Sequence, residues 1–213
     1  IILEGRAQAI RKELAAFKHP PIAHTSWWLD LGSPYKGVRE GNVEEAEDCI
    51  RVASLFGVKL VNFHSHSIGM SQKGLLFRKR ILDNYVRSLR HLSAYAKKLG
   101  MEIMLENTSG GGEIHDLKDI KYILDRAPGV WLHLDTGHAL IWGGTPNVLK
   151  FINTFAKKIR HIHVHDNHLE EDEHLPIGRG KGDYKKIAAA LKRIRYDGTI
   201  TLEIFTSRKD AAA

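Results

Sequence analysis

Short apolar runs alternate with longer amphipathic segments along the chain. Seven runs are rich in Val, Ile and Leu and bounded by polar residues, at 1–3, 21–24, 59–64, 102–106, 130–134, 159–165 and 199–205. Runs of this kind are typical of buried parallel strands. Helical periodicity between them predicts helices at 7–17, 43–56, 75–99, 117–126, 146–158 and 184–193. The alternation indicates βαβ units and a parallel sheet.

Polar residues mark three of the predicted helix starts. Asn42 and Asp116 directly precede helical patterns and fit N-caps, whose side chains accept a hydrogen bond from a free backbone N–H group. Thr145 is a third such position, and Pro146 after it suits a first helical turn, where no N–H donor is needed. We therefore expect three helices to begin directly after these caps.

No linker, low-complexity tract or change of composition interrupts the pattern, so we predict one domain over residues 1–213. The predicted fold class is α/β, and the architecture that fits best is a (β/α)8 TIM barrel. A complete barrel needs one more strand and a helix after Phe205, so we expect the first strand and the last helix to be absent from this chain. An open, doubly wound sheet is the alternative.

The composition narrows the class of protein. Hydrophobic residues make up 43% and charged residues 27%, and no run approaches the roughly 20 apolar residues of a membrane span. Cys49 is the single cysteine, which excludes an internal disulfide; we expect a buried structural thiol and a cytoplasmic protein. The net charge of +7 would assist binding to phosphate or nucleic acid, but the basic residues are scattered, so a solvated surface is favoured.

Ionisable residues stand where the apolar runs end. Six of the seven runs end in, or lead into, a residue that can bind metal: His24, His64, Glu106, Asp135, His163 and Glu203. In a parallel barrel all carboxyl ends open on one face, so these side chains would converge. Converging carboxylates and imidazoles are costly to bury unless a cation holds them. The oxygen and imidazole ligands predict a divalent site for Zn, Mn, Co or Fe.

Three motifs carry most of this signal. Glu106 lies in a Leu-Glu-Asn-Thr sequence that runs into glycines at 110–112, where the backbone can approach a ligand. Asp135 opens an Asp-Thr-Gly-His sequence, which places His138 on the following turn. Histidines at 161, 163 and 165 alternate along one run and would share one side of a strand. The loop after them carries Asp172 and His174, which we expect to be able to clamp a further metal ion.

Four other features are candidates for substrate binding. Glycines at 178, 180 and 182 are expected to bring backbone amides close to a phosphate or a sugar, and Arg179 between them is a candidate phosphate ligand. Trp27 and Trp142 are candidates for the walls of the pocket, with packing as an equally good interpretation.

Taken together, these motifs resemble the xylose-isomerase-like TIM barrel superfamily, which contains sugar (phosphate) isomerases and epimerases and the endonuclease IV family of AP endonucleases. The resemblance covers essentially the whole chain to Phe205. It implies a metal ion held by four strand-borne residues, which match Glu106, Asp135, His163 and Glu203.

The resemblance leaves two branches open. The isomerase branch implies one ion and a small sugar substrate, with proton transfer by Glu106 and Glu203 and substrate contacts from His138, His64, Trp27 and Arg179. The endonuclease IV branch implies up to three zinc ions and cleavage of DNA at abasic sites. Its additional ligands match His24, His64, His138, Asp172 and His174.

Three departures weigh against the nuclease branch. Endonuclease IV typically has His-Pro-Gly where this chain has His64-Ser65-His66, and Asp-Thr-Cys-His where this chain has Gly137 before His138. It is also a longer chain with DNA-binding loops. We therefore favour the isomerase or epimerase interpretation, with DNA as a partner only under the alternative. A non-catalytic sugar-binding barrel is a third, weaker hypothesis. The pattern predicts no membrane partner and leaves the oligomeric state open.

Overall fold

The computed structural model describes residues 4–67, 75–110 and 114–205. Seven helices in this part of the chain are α1 (Glu4–Leu14), α2 (Lys36–Leu55), α3 (Leu75–Lys98), α4 (Leu117–Arg126), α5 (Thr136–Ile141), α6 (Gly144–Thr154) and α7 (Tyr184–Arg193). Six strands are β1 (Ile22–His24), β2 (Leu60–His64), β3 (Glu102–Glu106), β4 (Val130–Asp135), β5 (Ile159–Val164) and β6 (Thr199–Leu202).

The six strands form one parallel sheet in the sequential order β1-β2-β3-β4-β5-β6. A doubly wound sheet would reverse its order at a switch point, so the sequential order excludes that alternative. The sheet is a curled half-barrel with helices between its strands, which confirms the predicted α/β TIM-barrel class. The seventh predicted strand, at 1–3, lies outside the described residues.

Alternation along the strands separates an apolar side from a polar side. On β2, Val61 and Phe63 are buried in the hydrophobic core, and Asn62 between them points to the other face. On β4, Leu132 and Leu134 are in the same core, whereas His133 is buried among polar groups. The apolar side chains pack against helices such as α3 and α4. The half-barrel interior is therefore polar, and the candidate site lies there.

Two of the three predicted helix caps are wrong. The helix α2 begins at Lys36, so Asn42 lies inside it, where Oδ1 accepts from the backbone N–H of Asp30 at 3.1 Å. The helix α6 begins at Gly144, and Thr145 instead accepts from the N–H of Asp183 at 2.9 Å. Both side chains are occupied by tertiary contacts that a local cap rule does not include. Asp116 does cap α4, by accepting from the N–H of Lys118 at 2.8 Å.

The short helix α5 is absent from the sequence prediction. Its six residues are too few to show a periodicity, and it begins directly after β4 without a loop. Asp135 caps it by accepting from the N–H of His138 at 2.7 Å.

At the edge of the sheet, β6 ends at Leu202, so Glu203 follows the strand. The N–H of Glu203 still donates to Val164 O at 3.1 Å.

Cys49 is half-buried on α2 rather than fully buried. Burial raises the pKa of its thiol, and Glu45 and Asp48 raise it further, which disfavours the nucleophilic thiolate. No helix in the described part of the chain combines the length and the apolar composition that crossing a bilayer requires.

Candidate metal centre

Strand register places the polar side chains of the half-barrel in rows. Pairing across the sheet joins His64, Glu106, His133, His161 and Thr199 in one continuous row from β2 to β6. A second row, two residues nearer the carboxyl ends, pairs Asp135 with His163 and His163 with Thr201. Residues two apart on a strand point the same way, so both rows face the barrel interior.

The four residues expected to hold metal come together at the carboxyl ends of β3 to β6. One ligand atom of each of Glu106, Asp135, His163 and Glu203 lies within 4.8 Å of the other three. His163 is central: its Nδ1 is 3.7 Å from Glu106 Oε1, 3.7 Å from Asp135 Oδ2 and 2.9 Å from Glu203 Oε2. Three carboxylates and an imidazole can therefore reach one point.

Unsatisfied buried atoms mark the same point. Glu106 Oε1, Asp135 Oδ2 and His163 Nδ1 are buried and make no hydrogen bond within the described residues. The close contact of His163 with Glu203 is not aligned as one. Leaving ionised oxygens buried and unpaired costs several kcal/mol per group, roughly. A divalent cation would satisfy all of these atoms, and the oxygen-rich set with one imidazole fits such an ion.

The second oxygen of Glu106 faces nitrogen groups. Asn62 Nδ2 donates to Oε2, and ring nitrogens of His24, His64 and His133 lie 3.3, 3.5 and 3.3 Å from it. Burial by itself raises the pKa of Glu106, but the attraction of these imidazoles outweighs it and holds the pKa well below its usual value. Glu106 is therefore an ionised carboxylate at neutral pH.

Asp135 is held in place from two sides. The side chain of Asn107 on the neighbouring strand end pairs with its backbone, accepting from Asp135 N at 3.0 Å and donating to Asp135 O at 2.9 Å. Its Oδ1 caps α5 and lies 3.1 Å from His165 Nε2. Burial raises the pKa of Asp135, but His138 and His165 outweigh this effect and lower it to about 2.

A second cluster lies beside the first and contains His138, His165, Asp172 and His174. His138 Nε2 is 3.0 Å from Asp172 Oδ2, and His174 Nε2 is 3.4 Å from Asp172 Oδ1. The Nδ1 of His138 donates to the backbone O of Asn107 at 2.8 Å, since a carbonyl can only accept. Burial lowers the pKa of His138, but Asp135, Asp172 and Glu106 raise it well above its usual value overall. The same negative charge that favours a proton on His138 would favour a cation in its place, and the four ligand atoms lie close enough together to hold one.

A third cluster joins His24 and His64 to Glu106, again with ligand atoms within 4.8 Å. All five residues named for additional metal ions therefore lie in one of the two outer clusters. His165 was assigned no ligand role from the sequence, and His133 and His161 were not assigned to the site. The signal for His133 was present, because it stands two residues before Asp135 on the same strand face.

Gly137 and His165 are matched to one another. A Cβ at position 137 would lie 2.0 Å from Cε1 of the His165 ring, so any side chain there would displace that ring. Gly137, which stands where endonuclease IV has Cys, thus leaves room for His165, the fourth residue of the second cluster.

A cavity of about 340 Å³ opens above these clusters. Of the residues named from the sequence for catalysis or substrate binding, Trp27, His64, His138 and Glu203 line it. The structure does not bring Arg179 to this cavity; its side chain is exposed on the loop. Further lining residues are His24, Thr108, Ser109, Asp172, His174 and Phe205.

Trp142 lies outside the cavity. Its ring stacks on His115 with centroids 3.9 Å apart, and its Nε1 donates to Ser109 O at 3.1 Å. The ring therefore supports the loop after β3, which is the packing interpretation.

The glycine loop has a structural partner rather than a ligand. The N–H groups of Gly178, Gly180 and Gly182 donate to the carboxylate of Asp166 at 2.9, 3.0 and 3.0 Å, and Asn167 N donates to it at 3.0 Å. The expectation that these amides bind a phosphate or a sugar is wrong, because the side chain of Asp166 already occupies them.

Sequence comparison assigns the family. The chain belongs to the xylose isomerase-like TIM barrel family, whose sequence profile matches residues 2–213. It spans 69% and 65% of the lengths of two uncharacterized Methanocaldococcus jannaschii proteins, to which it is 28% and 29% identical over 87% and 91% of its own length.

Named relatives fall into two groups. A probable endonuclease 4 of Campylobacter concisus is 28% identical over 180 residues, which is 75% of this chain and 61% of that protein. An L-ribulose 3-epimerase of a Methylomonas species is 29% identical over 132 residues, or 58% of this chain and 42% of the enzyme. The crystal structure of a D-tagatose 3-epimerase-like protein superposes with a TM-score of 0.83 at 26% identity, covering 98% of this chain and 79% of that one.

Proposed function

We propose that this chain carries the active site of a divalent-metal-dependent epimerase or isomerase that acts on a sugar or a sugar phosphate. The observation that carries the proposal is the convergence of Glu106, Asp135, His163 and Glu203 on one point, with unsatisfied buried ligand atoms aimed at it. The cavity above is of a size suited to a small polar substrate. The epimerases among the relatives and structural neighbours support the same class.

The four clustered residues would hold the ion, as Zn, Mn, Co or Fe. When bound, the ion supplies a Lewis acid that polarises the carbonyl of the substrate and acidifies the neighbouring C–H bond. Glu203 lines the cavity, so we assign it removal of that proton. Glu106 approaches from the other side of the cluster, on β3, and is assigned its return.

Three further residues would orient the substrate. Trp27 offers an exposed ring at the rim of the cavity, and His64 and His138 offer nitrogens in its wall. His138 keeps its Nδ1 hydrogen bond to the backbone, which fixes the direction of Nε2. These contacts would select a substrate with hydroxyl groups next to the reacting carbon.

Exchange with solvent deuterium tests the proposal whichever product the enzyme forms. The chain is loaded in turn with Zn(II), Mn(II), Co(II) or Fe(II) and incubated in heavy water with D-tagatose, D-fructose, pentuloses and ketose phosphates. Deuterium at the carbons beside the carbonyl is followed by NMR. We expect incorporation at one carbon, and a decrease of about 100-fold or more in Glu203→Gln. No incorporation in any ketose or ketose phosphate, under any of the four ions, would reject the proposal.

Glu102→Gln is the matched control. Glu102 begins the strand that ends in Glu106, is exposed, and accepts from Trp131 Nε1 at 2.9 Å far from the cavity. The same change of charge there should leave exchange within about twofold of the parent.

Binding of a ketose to the parent chain without deuterium exchange would instead support the non-catalytic sugar-binding hypothesis.

One observation favours a second candidate, an endonuclease IV-like phosphodiesterase. The two outer clusters supply ligands for two more ions, so up to three cations could line the cavity. The probable endonuclease 4 relatives agree with this alternative. Nicking of a duplex that contains one abasic site, with an undamaged duplex as control, would support it.

Asp172→Asn separates the two candidates. The residue joins His138 and His174 in the second cluster and is not a member of the first. We expect this variant to retain sugar exchange within about tenfold of the parent, because proton transfer uses the other cluster. If the parent nicks the abasic-site duplex, the variant should lose nicking. If the parent exchanges deuterium into a ketose, a loss of more than tenfold in the variant would contradict the assignment of proton transfer to the first cluster.

A further inference from the structure

A second cavity, of about 410 Å³, opens between the helices α2 and α3. It shares no lining residue with the cavity above the metal centre. Five cationic side chains and the carboxylate of Asp83 line it. The cationic residues are Lys36, Arg39, Lys79, Arg80 and Arg87. Basic residues that look scattered along the sequence therefore come together at this cavity.

Helical spacing explains why these side chains share one cavity. Lys36 and Arg39 are about one turn apart on α2, and Arg80 and Arg87 are about two turns apart on α3. Residues at such spacings stand on the same face of a helix. No side chain caps the start of α2, so the free N–H groups of its first turn add partial positive charge beside Lys36.

Arg39 is buried in the wall of this cavity without an ion pair. It is 8% exposed, and its Nη1 donates to Ser33 O at 3.2 Å. The same carbonyl accepts from Asn84 Nδ2 at 2.9 Å, which fixes the group that holds the guanidinium. No carboxylate of the described residues pairs with Arg39. Because burial of an unpaired charge is costly, this arrangement favours an anionic ligand beside Arg39.

Arg80 and Arg87 are exposed at the cavity, and neither forms an ion pair with a described residue. By contrast Arg78, on the side of α3 next to α4, pairs with Asp119. Residues 68–74, which directly precede α3, include no Asp or Glu that could supply a counter-charge.

The two lysines of the cavity do have carboxylate partners. Lys36 Nζ lies 3.7 Å from Glu40 Oε1, and Lys79 Nζ lies 2.6 Å from Asp83 Oδ2. The charges that the described residues leave uncompensated are therefore those of the three arginines.

We propose that this cavity binds a small molecule that carries two or more linked phosphate groups. Guanidinium groups offer paired N–H donors that match two oxygens of a phosphate. Three uncompensated charges exceed the charge of one phosphate, and the cavity is larger than one phosphate requires. The ligand would lie between the buried Arg39 and the exposed Arg80 and Arg87. This site goes beyond the proposed function and does not depend on it.

A nucleic-acid backbone matches the cavity less well. Its phosphates each carry a single charge and are spread along a strand. The three arginines instead line one concave site, where a compact group with several charges can contact all of them.

Calorimetric titration of the full chain with inorganic tripolyphosphate tests the proposal. Metal is removed from the chain beforehand, because a bound cation would itself attract the probe. We expect micromolar affinity at physiological salt, and binding of orthophosphate that is weaker by about tenfold or more. Absence of tripolyphosphate binding, or equal affinity for orthophosphate, would overturn the proposal.

A variant with both Arg80→Gln and Arg87→Gln should bind tripolyphosphate about 30-fold more weakly, because two charge-assisted contacts are lost. The matched control carries Arg90→Gln and Lys97→Gln, which remove the same charge from exposed positions of α3 that do not line the cavity. It should stay within about twofold of the parent, since exposed charges outside the cavity are screened by salt. Equal weakening in the two double variants would indicate a diffuse effect of net charge and would overturn the site.

Asp83→Asn should have the opposite effect, which a misfolded variant cannot imitate. The change removes the carboxylate that lines the cavity and releases Lys79 from its ion pair. We expect tripolyphosphate to bind about threefold more tightly than to the parent, or better. Unchanged or weaker binding would contradict the proposed site.

Titration with a duplex oligonucleotide separates the small anion from a nucleic acid. We expect the parent and the Arg80 and Arg87 double variant to bind the duplex equally. A duplex that loses affinity in this variant but not in the control, together with only millimolar binding of tripolyphosphate to the parent, would overturn the proposal in favour of a nucleic-acid surface.

Discussion

Two carboxylates in this half-barrel are equally buried but differ in the number of hydrogen bonds that they accept. Asp166 is 0% exposed and Glu106 is 1% exposed. Asp166 accepts four backbone N–H groups, from Asn167, Gly178, Gly180 and Gly182. These bonds compensate the cost of burying its charge, because hydrogen bonds to ionised groups are worth about 1.5–3 kcal/mol each.

Glu106 accepts one hydrogen bond, from Asn62, and otherwise faces imidazoles at 3.3 Å or more. Its Oε1 makes no hydrogen bond within the described residues. The difference supports the role proposed for Glu106: Asp166 is saturated by hydrogen bonds from its own chain, whereas Glu106 Oε1 has no such bond within the described residues and is available to a ligand.

Glu106→Gln should produce the largest effect on activity. The amide keeps the size of the side chain but cannot carry a proton between positions or supply a full negative charge to an ion. We expect deuterium exchange to fall about 1,000-fold. Unfolding free energy in chelator, measured by urea denaturation, should change by less than about 1 kcal/mol, since a buried charge and its attractions are lost together. Activity within tenfold of the parent would place Glu106 outside the chemistry.

Asp166→Asn should show the opposite pattern. An amide offers one accepting oxygen, so its Nδ2 would face two backbone N–H donors and half of the four hydrogen bonds would be lost. We expect unfolding free energy to fall by about 3 kcal/mol. Asp183→Asn is the control: Asp183 caps α7 by accepting from Lys186 N, and Asn caps equally well, so the change there should stay below about 0.5 kcal/mol. Equal unfolding free energies of the Asp166 and Asp183 variants would contradict the structural role given to the four hydrogen bonds of Asp166.

Removal of the metal ion should destabilise the parent, because the buried ligand atoms that make no hydrogen bond would lose their partner. An ion at 100 times its Kd stabilises the native state by about 2.7 kcal/mol, and a chelator removes this amount. Urea denaturation with and without Mn(II) measures the difference. In Glu203→Gln the stabilisation should largely disappear, whereas in Asp183→Asn it should persist. A parent whose stability is the same in chelator and in Mn(II) would contradict the role given to these atoms.

Trp27→Ala should give the smallest effect, at the rim of the cavity. Its ring is 57% exposed and lines the cavity beside His64. We expect KM for the ketose to rise about tenfold, or 1.4 kcal/mol, with kcat within about threefold. Trp28→Ala is the control, because Trp28 is equally exposed but does not line the cavity. Equal effects of both changes would indicate a general loss of packing.

Local patterns predicted the elements well where each pattern was complete. The helices α4 and α7 and the strand β3 have the predicted bounds, because clear periodicity and flanking polar residues mark both ends. The helix α5 was not predicted, since one and a half turns show no periodicity. Asn42 and Thr145 were misassigned as caps, because their hydrogen-bond partners are distant in sequence.

The candidate site was predicted only in part, because local patterns show where a strand ends but not where a loop runs. Position at a strand end indicated six candidates, and the family resemblance narrowed them to Glu106, Asp135, His163 and Glu203, which the structure brings together. It did not place Arg179, which the structure leaves exposed away from the cavity. The path of that loop depends on hydrogen bonds to Asp166, which no local pattern reveals.

By itself, the sequence determined that strands and helices alternate and that ionisable residues stand where strands end, since both are properties of neighbouring residues. Only the tertiary structure decided which of these residues meet. Register across the sheet aligned His64, Glu106, His133 and His161 in one row, and burial left Glu106 Oε1 and both ring nitrogens of His133 without a hydrogen bond within the described residues. Register and burial arise from the packing of strands that are tens of residues apart, so they emerge only when the whole sheet is assembled.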